Sequence, residues 1–196
     1  MIDLSAINIQ GAVPHLLDWG SEQTAVLGGV SSRVDRLGSK HQIDVTVPPL
    51  VQEPDGRIWV SRLKRAKSQG GIMQFPQLDL VVGSPGAPVI TTAAVGGTSI
   101  AIGGVTHGYV VREGQWLTIT SGGRGYLYSA DADAAVDTNG HVTLTITPML
   151  RAPAAVGDIV NLVAPTIEGW IGGDDFSWTV DNAHHVGLQF SITERA

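Results

Sequence analysis

Covalent or metal chemistry in this chain would have to come from histidines, carboxylates and hydroxyls, because it contains no cysteine. That absence excludes a disulfide framework and a thiolate metal site. The six histidines are His15, His41, His107, His141, His184 and His185. None belongs to a His-Glu-x-x-His pattern, and no two are spaced i, i+4 as paired zinc ligands on a helix must be. His184-His185 falls in a predicted hairpin turn, where adjacent side chains diverge, and reads as solvated turn residues rather than a metal pair. The run DADAAVDTNGH offers Asp131, Asp133, Asp137 and Asn139 as hard oxygen ligands suited to calcium. Its spacing departs from the helix-flanked calcium loop, and no bidentate Glu closes it. Asp137-Thr138-Asn139-Gly140 is explained as well by a hairpin connection, since Asn-Gly accommodates positive φ. Neither a metal nor a cofactor is expected.

Other chemistries find little to work with. There is no Gly-x-Ser-x-Gly elbow, and the serines lie in turns without a histidine and an acid at a telling spacing. Glu168 and Asp174-Asp175 are the carboxylates that glycoside cleavage would need, and as isolated acids they read as surface groups. The strings GSPGAPVITTAAVGG and TSGGRG lack the Gly-Lys-Ser/Thr ending and the following helix of a phosphate cradle, so they read as turns. No catalytic residue is expected, and the chain reads as a non-enzyme. Arg57, Arg62, Lys64, Arg65 and Lys67 gather five of the twelve cations in one short run. With a net charge of −6, that run reads as the charged face of a helix, not as a nucleic-acid site.

The elements that would position such residues are mostly strands. A hydrophobic fraction of 43% with 15% charged residues fits a folded chain rather than a disordered one, and 25 glycines point to sheets and tight turns. Residues 1–81 mix strand-like pieces with one helix. Strands are expected at 25–27, 31–37 and 42–47. In the last of these Ile43, Val45 and Val47 alternate with polar residues, and Pro48-Pro49 should end it. Over 55–69, Trp59, Leu63 and Ala66 recur at helical spacing, with Asp55 placed to cap the start and Gly70-Gly71 to close the end. Ile58 and Val60 would also suit a strand.

Residues 82–165 are strand-and-turn throughout: about six strands over some eighty residues, the size of a small closed barrel. Val142, Leu144 and Ile146 alternate with threonines there. Residues 166–196 return to strand patterns and a terminal hairpin at 181–187, too few residues for a core of their own. These strands should therefore join the sheet of residues 1–81, leaving 82–165 as an insertion. The expected class is mainly β with one short helix: a β-sandwich-like domain from the two terminal segments, plus an inserted small barrel. Met1-Ile2-Asp3-Leu4 has no basic segment followed by an apolar run, so no signal peptide is expected, and no stretch suits a bilayer.

Two passages resemble the distal tail proteins of long-tailed phages and their prophage relatives. LGGVSSRVDRLGSKHQIDVTVPPL followed by DGRIWVSRLKRAKSQGGIMQFPQ is similar to the strand–Gly-Ser–strand–Pro-Pro stretch and single helix of their N-terminal β domain. EGQWLTI through YLYSADADAAVDTNGHVTLTITPMLRAPAAVGDIVNLVAP is similar to a recurring tail-protein block. Gly114, Leu117, Ile119, Asp131, Asp133, Asp137, Gly140, Pro148, Leu150, Arg151, Gly157 and Asp158 fill its places, with Gln115 standing where an Asp is expected.

The resemblance implies a structural virion protein: a homo-hexameric ring at the distal end of the tail, between the tail tube protein and the tip or baseplate hub, assembled in the host cytoplasm. It also implies an OB-like inserted barrel. On that reading Arg151 anchors the barrel by charge-assisted hydrogen bonds, Asp158 holds a Gly-Asp turn, and Trp59 and Leu63 fix the helix to the sheet. The alternative is a carbohydrate-binding module that recognises host-surface glycan through Trp116, Tyr126 and Tyr128, with Trp170 and Trp178 as further aromatics. Membrane and sequence-specific nucleic acid are not expected as partners.

Overall fold

The computed structural model describes residues 1–195. The chain is mainly β, with one α-helix and a closed barrel. The first part of the chain forms β1 (Ile2–Asp3), β2 (Gly11–Leu17), β3 (Ser21–Gln23), β4 (Ser32–Val34), β5 (Lys40–Val51), α1 (Arg57–Gln69) and β6 (Gly71–Gln74). The middle forms β7 (Gly86–Ile90), β8 (Ser99–Val105), β9 (Val110–Val111), β10 (Trp116–Ser121), β11 (Arg124–Ala130), β12 (Ala134–Ala135), β13 (Val142–Thr147) and β14 (Ile159–Asn161). The last part forms β15 (Thr166–Ile171), β16 (Trp178–Val180) and β17 (His185–Glu194).

A seven-stranded sheet runs β1-β6-β15-β17-β5-β2, with β16 paired to β17. Its strands come from both ends of the chain. The intervening strands close a barrel in the order β10-β11-β13-β8-β7-β14. Period-two burial explains both. On β5, His41, Ile43, Val45 and Val47 are buried, while Gln42, Asp44 and Thr46 are only partly covered. On β13, Val142, Leu144 and Ile146 face the barrel core and Thr143 and Thr145 face solvent. The helix lays Trp59, Leu63 and Ala66 into the sheet core beside Leu4, Met73 and Ile167. It is the only α-helix among the described residues, and it is not long and apolar enough to cross a membrane.

Three local expectations are corrected. Asp55 does not cap the helix: a turn at Gln52–Gly56 precedes it, Gly56 is the capping residue, and no side chain caps the end. Glu53 meets Arg57 there instead, through bonds of 2.6 and 2.7 Å. Pro48-Pro49 does not end β5, which continues to Val51. Val47 pairs with Leu188 and Leu50 with Val186, so the two prolines lie opposite the single Gly187 in a bulge. A bulge leaves ladder positions unpaired, which suits residues without an N–H. Residues 25–27 are not a strand but part of the tip of the β3–β4 hairpin, an arm whose Val26 and Leu27 are 99% and 98% exposed.

Candidate functional site

The barrel meets the sheet along β10 and β11, and β13 is too short to cover the latter. β11 pairs with β13 only at Ser129 and Ala130, because β13 ends at Thr147 and Pro148 follows. Backbone groups from Gly125 to Tyr128 on that side have no neighbouring strand. A buried backbone amide without a partner costs free energy comparable to a lost hydrogen bond. Two carboxylates from the sheet take the place of the missing strand. Glu168 on β15 accepts the Gly125 N–H at 3.0 Å, and Glu194 on β17 accepts the Leu127 N–H at 2.9 Å.

Glu194 is the centre of this junction. Its side chain is 1% exposed and accepts the His41 N–H at 2.6 Å on Oε2 and Arg151 Nη2 at 2.7 Å on Oε1. Arg151 also donates from Nη2 to the Leu127 carbonyl at 3.1 Å, so the ion pair satisfies both backbone groups of Leu127. The Tyr128 hydroxyl accepts the Arg151 backbone N–H at 3.2 Å. One carboxylate therefore ties together β5, β17 and two segments of the barrel. Its period-two place in β17, after Val186, Leu188, Phe190 and Ile192, turns it inward.

Burial pushes the Glu194 carboxyl up, but the His41 contact and the Arg151 guanidinium outweigh it and hold the group below the ordinary carboxylate range. Burial pulls Arg151 down, and the facing Glu194 charge more than restores it. Burial raises the Tyr128 phenol. His41 Nδ1 lies 3.4 Å from Glu194 Oε2 without hydrogen-bond alignment, and it, Arg151 Nε and Arg151 Nη1 are buried without a partner. The Arg151 guanidinium carbon sits 5.6 Å and 5.3 Å from the Tyr126 and Tyr128 ring centres, close enough for cation–π attraction.

A second clamp lies beside the first. The Thr118 hydroxyl donates to the Thr166 carbonyl at 3.0 Å and accepts the Thr166 N–H at 2.7 Å, linking β10 to β15. Gln77 accepts the Trp116 N–H at 2.9 Å. Trp116 packs on Phe75 and edge-on against His41, with ring centres 4.4 and 5.0 Å apart.

The aromatic triplet proposed for glycan is not one platform. Trp116 faces the sheet core, whereas Tyr126 and Tyr128 pack against the barrel core, because their positions on β10 and β11 point to opposite faces. Tyr128 is 1% exposed. Trp170 and Trp178 are more open, at 44% and 40%, but Arg195 and Lys64 lie over their rings.

Two carboxylates of the acidic run are engaged by turns, Asp137 by its own and Asp133 by the one between β9 and β10. Asp133 accepts the Glu113 N–H at 2.8 Å and meets Arg112, and Asp137 accepts the Asn139 and His141 N–H groups, both at 2.8 Å. Among the described residues no group of three or more His, Cys, Asp or Glu could hold a metal ion. His184 lies in the β16–β17 turn with φ 59°, and His185 begins β17.

Asp158 accepts the Ala155 N–H at 2.8 Å while its own N–H donates to the Ala155 carbonyl at 3.1 Å. Gln115 does the same at the other Gly-x turn: its Oε1 accepts the Arg112 N–H at 3.1 Å, and its N–H donates to the Arg112 carbonyl at 3.0 Å. The amide thus performs the turn role of an Asp, and its Nε2 also reaches the Tyr109 hydroxyl at 2.9 Å. Trp59 and Leu63 are buried in the sheet core, Leu63 completely.

The chain matches no protein-family model and no curated protein.

Proposed function

We propose that the chain is a structural subunit of a long-tailed phage tail, forming a closed ring at the distal end between the tail tube and the tip or baseplate hub. The observation that carries this reading is that two open sheet edges, β2 and β16, bear exposed apolar side chains. β2 pairs only with β5, and β16 only with β17, so their outer sides are unpaired. Both edges carry exposed apolar side chains: Val13 and Leu16 on β2, Trp178 and Val180 on β16. Edges like these are normally blunted or covered in a monomer. A cyclic assembly covers them by setting one edge of each copy against a different edge of the next, a heterologous contact that closes.

The junction at Glu194 suits the same role. It fixes the barrel to the sheet with directional bonds from both ends of the chain, so a load applied to either is transmitted to the other. The bonds its carboxylate and guanidinium make go to one another and to the backbone. The two motif passages supply the tail assignment and the expectation of six copies.

Light scattering of the purified protein, with negative-stain microscopy of the large species, tests the reading. A ring of defined mass with a central hole is the expected result. A monomer at every concentration, with or without tail tube protein, would overturn it.

A further inference from the structure

We infer that neighbouring copies are joined by the β3–β4 arm of one seating its apolar tip in the groove between α1 and β16 of the next. This inference deepens the ring reading and rests on it. The arm is the most solvent-exposed apolar feature of the molecule. Val26, Leu27 and Val30 are 99%, 98% and 95% exposed, on a tip that makes no contact with the rest of the chain's core. Its root, in contrast, is braced. Asp18 accepts the Gly20 N–H at 2.8 Å and the Ser39 hydroxyl at 3.1 Å and pairs with Arg33, which also reaches Asp35 at 2.7 Å. A held root with a bare apolar tip is the form of a segment that docks elsewhere.

The groove has the complementary character. Val60 of α1, Trp178 and Val180 of β16 and Val186 of β17 line a volume of about 380 Å³, together with Lys64 and with Arg57, which is already paired to Glu53 in the same lining. β16, along one side, offers an unpaired backbone edge to an incoming strand. Charge agrees: α1 carries five cations and no acid, and Glu22, on the arm beside the tip, has no ion-pair partner among the described residues. Lys64, already lying over the Trp178 ring, is the rim cation that Glu22 would meet.

The occupant is a second copy because the arm cannot reach its own groove. The arm springs from the Lys40 end of β5 and the groove lies at the Val51 end, where His185 pairs with Val51. Twelve residues of extended strand separate them, roughly 40 Å. The eight residue steps from Gly20 to the Gly28 tip span at most about 28 Å. Arm and groove are also on opposite sides of β17, as a head-to-tail contact requires and a two-fold one does not.

The absence of cysteine makes a direct test clean. Leu27→Cys protein is mixed with Val180→Cys protein and treated with a short bis-maleimide. Both positions are exposed, so neither change disturbs the core, and unchanged thermal unfolding confirms that. Cross-linked heterodimer is expected about tenfold above the pair Leu27→Cys with Val95→Cys, as local concentration at a real contact dictates. A yield no higher than that control overturns the inference. If the wild-type mass is then still that of a ring, the ring reading survives and only the arm contact falls; if it is a monomer at every concentration, with or without tail tube protein, both fall. Joining Leu27→Asp protein, whose groove is intact, to Val180→Asp protein, whose arm is intact, should give a one-to-one dimer instead of a ring. Full rings from that mixture would also overturn it.

Discussion

Replacing Glu194 with Gln keeps the shape of the side chain and removes its charge, which makes it the sharpest probe of the junction. Three donors converge on the carboxylate, from His41, Leu127 and Arg151. The substituted amide presents one oxygen and one NH2, so at least one of these donors meets another donor. The Arg151 guanidinium, 5% exposed, is left without its counter-charge. Breaking a buried ion pair by removing one partner costs about 3–5 kcal/mol. For a chain of this length that corresponds to a fall in Tm of roughly 6–20 °C. Thermal and urea unfolding measure it. Arg151→Met alone should be similarly costly, and the double variant should recover much of the loss, because no uncompensated charge remains. Single losses below about 1 kcal/mol, or strict additivity in the double variant, would refute the reasoning.

The same pair sets a pH dependence. The folded-state Glu194 carboxyl lies below its ordinary value of 4.5, so its stabilisation is fully present above that value and is lost as pH falls through the lowered one. The stability difference between wild type and Glu194→Gln should therefore narrow on acidification below about pH 4.5 and stay constant from there to neutrality. Salt should change it little, since burial shields the pair from screening.

Leu63→Ala should cost about 2–5 kcal/mol by urea unfolding, since the side chain is fully buried between α1 and the sheet. Gly169→Ala should destabilise by about 1–3 kcal/mol or more, because a Cβ there would lie 1.9 Å from the Thr193 carbonyl oxygen and force β15 away from β17; wild-type stability in this variant would refute the close approach. Asp18, held down to about 2 by the Gly20 N–H, Arg33 and Ser39, keeps the arm root closed above its ordinary 3.8 and releases it as pH falls towards 2. The Gly20 amide resonance should follow that titration in wild type and lose it in Asp18→Asn.

Much of this is legible in the sequence, and the rest fails for identifiable reasons. Alternation at 42–47 and 142–147 marks strands with the right buried face, and the i, i+4, i+7 spacing of Trp59, Leu63 and Ala66 marks the helix. Arg151 is expected there to anchor the barrel, but its partner Glu194 goes unremarked, although the signal is present. It continues the inward phase of Val186, Leu188, Phe190 and Ile192, and a carboxylate in that phase needs a buried partner. His41 carries the same mark, one step before Ile43. The strand at 25–27 fails because Ala25, Val26 and Leu27 have strand propensity but no neighbour in the chain to pair with. The prolines mislead because their effect depends on what lies across the ladder, and Gly187 is distant in sequence.

Sheet and barrel share more than a boundary. Leu127 and Trp116 belong to barrel strands, yet their side chains complete the sheet core, Leu127 fully buried. An apolar contact alone would tolerate sliding, since burial is non-directional. The carboxylates of Glu168 and Glu194 remove that freedom, because each accepts one particular backbone N–H of β11. They act as a substitute strand fixed in register, and Arg151 supplies the matching donor to Leu127. The polar junction therefore sets orientation while the apolar contacts supply most of the adhesion. That division holds the barrel at one angle on the sheet, so under the proposed ring reading every copy's barrel would project from its sheet in the same direction.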